Sequence, residues 1–141
     1  MEKKYFLVII GIIIIIGFGL FFINNNQINL DGTSFEKIEG YNAVSGDNFI
    51  NFTKNDKFIF IQTSNDTINK SINDYLKSKN NASYELTDFS LNGLKVYKVT
   101  IDNYTIGHFW FEKNHKVYEI YTWNYDEPTN VDIMNLIKSA S

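Results

Sequence analysis

Tyr5 to Ile23 is a run of 19 residues in which only Gly11, Gly17 and Gly19 are not large and apolar. As a helix the run would extend about 28 Å, close to the hydrocarbon thickness of a bilayer. Its centre, Ile12 to Ile16, has no polar atom outside the backbone. Glu2, Lys3 and Lys4 precede the run, and Asn24, Asn25, Asn26 and Gln27 close it abruptly. Lysines ahead of an apolar span stay in the cytoplasm, which predicts a single-pass membrane protein with everything after Asn24 outside. A cleaved signal peptide has a shorter apolar core and small residues at its cleavage site. Asn24 to Leu30 offers no such pattern, so the expectation is an uncleaved anchor, with a secreted soluble domain after cleavage as the alternative.

The 118 residues after Ile23 suffice for one small domain. All 13 basic residues are Lys and the net charge is -3. A mildly acidic chain without Arg lacks the guanidinium forks that grip phosphates and guanine edges, which argues against nucleic acid as a partner. The absence of Cys excludes disulfides, thiol nucleophiles, iron–sulfur clusters and Cys-type zinc sites. Sequons at Asn51, Asn65, Asn69, Asn81 and Asn103 are potential N-glycosylation sites and agree with an extracytoplasmic placement.

Residues 24–33 are polar, contain Gly32, and read as a tether between the anchor (residues 1–23) and a domain over 34–141. From Ser34 the pattern is mostly period two. Phe49 to Thr53 and Lys57 to Thr63 predict a hairpin about Asn55-Asp56, and Tyr84 to Leu91 and Leu94 to Ile101 predict another about Asn92-Gly93. A third joins Thr105–Phe111 to Val117–Trp123 about Asn114-His115. Ile68, Ile72, Tyr75 and Leu76 fall on one face of a helix capped by Asn65 or Asp66. A last helix starts near Pro128 or Thr129, where Thr129-x-x-Asp132 has the spacing of a capping box. Phe58 to Ile61 and Phe109 to Phe111 have no polar alternate, which predicts a sheet buried on both sides. The expected fold class is therefore α+β, an antiparallel sheet with helices packed on its two faces.

Ser34-Phe35-x-x-Ile38-Glu39-Gly40-Tyr41, followed by a hairpin, a helix, a meander and a terminal helix, resembles the PsbP-like α/β/α domains. That group includes extrinsic photosystem proteins and small membrane-anchored archaeal and bacterial proteins. Anchored members open with F-x-x-P-x-G-Y, and here Ile38 stands in place of the Pro. The resemblance implies an attached, non-catalytic role and transfers no catalytic residues.

His108 and His115 are the only imidazoles, and strand alternation opposes their convergence with Glu112 or Glu119 on a metal. Asp126-Glu127 and Asp102 sit in turns, where carboxylates serve as caps. None of the nucleotide-binding, hydrolase-elbow or zinc-protease motifs occurs, so no enzyme and no cofactor are expected. The richest constellation is aromatic. Alternation puts Tyr121 and Trp123 on one face of the last strand and Tyr118 on the other, and the expected ligand or partner surface is Trp123, Tyr125 and Tyr121. The functional expectation is a binding module at the cell envelope, for an envelope protein or a glycan, with an envelope hydrolase as a less favoured alternative.

Overall fold

The computed structural model describes residues 26–80, 82–101 and 106–141. Strands β1 (Gln27–Leu30) and β2 (Thr33–Glu36) form a separate two-stranded sheet. The main sheet contains β3 (Asn42–Ser45), β4 (Phe49–Lys54), β5 (Lys57–Ser64), β6 (Tyr84–Leu91), β7 (Leu94–Ile101), β8 (Gly107–Lys113) and β9 (Lys116–Trp123). Helix α1 (Ile68–Ser78) follows β5, and helix α2 (Glu127–Ser139) follows β9. The seven strands lie in the order β3-β4-β5-β9-β8-β7-β6, and every neighbouring pair is antiparallel.

The turns follow from residues that tolerate left-handed backbone. Asn92 (φ 50°) and Gly93 (φ 79°) close β6–β7, and Asn114 (φ 53°) and His115 (φ 61°) close β8–β9. Both helix starts differ from the sequence expectation. Thr67, not Asn65 or Asp66, caps α1 by accepting from the Lys70 amide at 3.3 Å. Asp126 caps α2 by accepting from the Thr129 amide at 2.9 Å, and it also pairs with Lys57.

Strict alternation splits the sheet into two faces. One face places Ile50, Phe52, Ile59, Ile61, Ile120 and Phe109 beneath α2, whose Ile133, Leu136 and Ile137 are buried. The β1–β2 hairpin closes the same core through Leu30 and Phe35. The other face places Trp110, Val99, Ile101 and Val117 beneath α1, which contributes Ile72.

This architecture corrects the α+β expectation of helices as layers on both faces of a sheet. Strands hold 51% of the described residues and the two helices 22%, so the fold is mostly β. Each face carries one helix, but neither helix makes a layer. Helix α1 runs from the Val117 end of β9 to its Trp123 end, roughly along the strands, so one helix about 10–12 Å across lies on a sheet about 29 Å wide. Much of the second face is left open. Part of the predicted tether also belongs to the fold, because Gln27–Leu30 pairs with β2 and Leu30 is buried. The expected membrane-spanning helix over residues 5–23 lies outside the described residues. Among the described residues no helix is long and apolar enough to cross a membrane.

Candidate functional site

Cross-strand register brings one series of rings together where α1 leaves the sheet uncovered. Phe49 lies opposite Gln62 and beside Phe60, Phe60 opposite Tyr121, and Phe58 opposite Trp123. The rings touch in sequence: Phe49 stacks on Phe60 at 5.4 Å, and Phe60 meets Tyr121 at 4.9 Å. Tyr121 meets Phe58 edge-on at 6.1 Å, and Phe58 meets Trp123 at 5.7 Å. Phe49, Phe58, Phe60 and Tyr121 are half-buried, while Trp123 is 60% exposed. Pairs at these distances each add about 0.5–1.5 kcal/mol beyond their buried area, so the series holds its shape without a ligand.

Between this series and the C-terminal end of α1 lies a cleft of about 220 Å³, lined by Tyr75, Lys79, Ile106, His108, Tyr121 and Trp123. Lys79 holds its ammonium 5.0 Å from the Tyr75 ring centre. His108 forms part of the floor. Its ring lies flat on Trp110 at 3.9 Å and takes the Tyr75 ring edge-on at 4.1 Å. Its side chain is 8% exposed, and burial pushes its pKa down, so the imidazole is neutral. Glu119 Oε2 stands 3.8 Å from His108 Nε2, too far for a hydrogen bond. The facing His108 ring and donors on Gln62 and Ser71 hold the Glu119 carboxyl below its ordinary range, against the opposing effect of burial. The Gln62 amide donates to Glu119 at 3.2 Å.

His108 Nε2, Tyr75 Oη and Trp110 Nε1 are sealed from solvent without a hydrogen-bond partner. Proton transfer needs contact within about 2.6–3.2 Å of a substrate atom. The His108 ring forms part of the cleft floor, but its sealed Nε2, the atom facing Glu119, is not presented to the cleft. What the cleft presents outward is ring faces and one ammonium, a surface for contact.

The expected surface residues divide. Tyr121 and Trp123 share the ring series, whereas Tyr125 lies on the opposite face. Its ring packs against Phe109 at 6.0 Å, beneath Lys98 Nζ at 4.9 Å, and its hydroxyl donates to Asn130 Oδ1 at 2.6 Å. A Cβ on Gly107 would sit 2.8 Å from Tyr125 Cδ2. Gly107→Ala is thus expected to displace Tyr125 and cost about 1–3 kcal/mol, read from a urea melt. The Trp123 side chain, on the other face, should be unaffected by that change.

Sequence reasoning missed Phe49, Phe58 and Phe60. The signal was present in the Phe58-x-Phe60 spacing, which puts both rings on the face of Tyr121 and Trp123 once β5 pairs with β9. Of the sequon residues, Asn65 and Asn69 are exposed, while Asn51 is half-buried within β4 with Oδ1 sealed. Asn81 and Asn103 lie outside the described residues, as does Asp102. His115 is exposed in the β8–β9 turn, on another row from His108. Among the described residues no three His, Asp or Glu side chains converge as a metal site would require. No protein-family model matches the chain, and no curated protein gives a significant match.

Proposed function

We propose that this chain is an interaction module held at a membrane. Residues 5–23 seat it in the bilayer, the domain lies on the extracytoplasmic side, and the ring series from Phe49 to Trp123 is its contact surface for an envelope protein or glycan. The observation that carries the reading is the open half of one sheet face, where five aromatic rings touch in sequence and remain partly exposed. Tyr and Trp give large contact area with few rotors to freeze, which suits such a surface. Anchoring raises the local concentration of membrane-bound partners, so a shallow surface suffices. The Ser34–Tyr41 resemblance to PsbP-like domains supports an attached, non-catalytic role.

A photo-crosslinking side chain at Phe60, in the full chain in its native membranes, tests the surface. Adducts with envelope protein or glycan that disappear with Tyr121→Ala are expected. Adducts unchanged by Tyr121→Ala, or none, would contradict the assignment.

A further inference from the structure

We propose that the end of the sheet carrying Trp123 rests on the bilayer surface, with the Trp123 indole at headgroup level. The inference rests on the reading that residues 5–23 hold the chain in a membrane, adds where the folded domain meets the lipid, and leaves Phe49, Phe60 and Tyr121 of the ring series to the partner.

The topology fixes which end this is. Trp123 ends β9 opposite Phe58, and Asn124 Nδ2 donates to the Asp56 carbonyl at 3.2 Å, in the β4–β5 turn. Tyr84 begins β6 opposite Ile101. The described chain comes in at the same end. The Lys37 amide donates to the Asn26 carbonyl at 2.8 Å, and Asn26 lines one hollow with Gly40 and Tyr41. Lys54 lies opposite Lys57 across that turn, and its ammonium is 5.5 Å from the Tyr41 ring centre. Only three residue steps separate Asn26 from Ile23, the last of the apolar run. They reach at most about 11 Å. A sheet about 29 Å wide cannot stand clear of the lipid on so short a lead.

The side chains at this end match the surface they meet. Trp123 is 60% exposed and Tyr84 50%. Trp and Tyr concentrate at membrane–water interfaces because their rings are apolar and their polar tips stay wet. On the face that carries them, the outermost row holds Tyr84, Ile101, Trp123 and Phe58 and continues through Thr53 to Asn42, and the next row inward includes Leu86, Val99, His108 and Tyr121. Neither row contains Asp, Glu or Lys among the described residues. The third row brings in Asp88 and Glu119. Apolar character thus rises toward the end nearest the anchor. Lys54 and Lys79 flank it on long apolar stems that let their ammonium groups reach water. Lys57 is paired with Asp126 at this end and Asp56 stands in the same turn as Lys54, so both signs are present and a zwitterionic surface fits better than a strongly anionic one.

The full chain reconstituted into phosphatidylcholine vesicles with brominated acyl chains tests the docking. Trp110 is sealed under α1 and serves as the internal reference. Bromine quenching and a blue-shifted emission are expected, and Trp123→Phe should remove the quenched component while Trp110 still emits. Because the chain has no Cys, Asp56→Cys and Glu112→Cys each accept one nitroxide, at opposite ends of the sheet. The label at 56 should be shielded from an aqueous relaxation agent and the label at 112 open to it. A vesicle-borne chain with unquenched, water-exposed Trp123 and two equally aqueous labels would overturn the docking but leave the anchor standing. A chain that fails to float with the vesicles would overturn both.

Discussion

Tyr118→Ala is expected to destabilise the domain by about 3–5 kcal/mol, the cost of emptying a sealed aromatic site. Tyr118 is 0% exposed and joins the small sheet to the large one. Its ring stacks on Phe111 at 5.2 Å and takes the Phe35 edge at 5.5 Å. Its hydroxyl donates to the Leu30 carbonyl at 3.1 Å and meets Thr33 Oγ1 at 2.7 Å, so one side chain pins both strands of the β1–β2 hairpin. Tyr118→Phe keeps the ring but leaves those buried oxygens short of a partner, at about 1–3 kcal/mol. Urea melts in detergent read both losses. Amide exchange should show β1 and β2 loosening in Tyr118→Phe while β4 and β5 stay protected. A Tyr118→Ala domain as stable as wild type would contradict the docked hairpin.

Stability should fall in acid, in two stages. Glu119 titrates near 4.5 when unfolded and is held below that in the fold. A depressed carboxyl contributes stability that is fully present above the unfolded value and lost as pH falls through the folded one. That contribution is lost as pH falls below about 4.5. His108 adds an earlier stage with the same sign. Burial keeps it neutral in the fold, while the unfolded imidazole takes up a proton near 6.5, so acidification below that pH also favours unfolding. Lys79 near the ring pushes the same way, and Glu119 opposes it. Urea midpoints against pH should therefore begin to drop below about pH 6.5 and fall more steeply below about 4.5. Glu119→Gln should flatten the lower limb. Parallel curves for wild type and Glu119→Gln would contradict the buried pair.

The hairpins were legible because their turns carry chemistry that only turns need. Asn92-Gly93 and Asn114-His115 adopt positive φ where the sequence placed them, and β6 and β7 begin and end at the expected residues. The β1–β2 hairpin was not read, although Asp31-Gly32 is an equally good signal, with φ of 52° and 88°. Its strands are short and half polar, and only a tertiary contact such as Tyr118 on Leu30 makes them fold. The open aromatic face was misread for a different reason. An apolar run such as Phe58 to Ile61 looks the same whether its second face is covered by a helix or faces outward. What separates the cases is the breadth of a single helix lying along the strands against the width of the sheet, a property of the assembled layers. The division of Tyr125 from Trp123 follows likewise from the bend of the chain after β9, which period-two reasoning stops short of.

Membrane attachment through residues 5–23 is the central claim, and an intact mass of the native protein from an alkali-washed membrane fraction tests it most directly. The expected result is a species of at least 16.4 kDa that retains residues 1–23, with any increment explained by glycans on exposed sequons such as Asn65 or Asn69. A chain beginning after about Asn24, or recovered only from the medium, would contradict it.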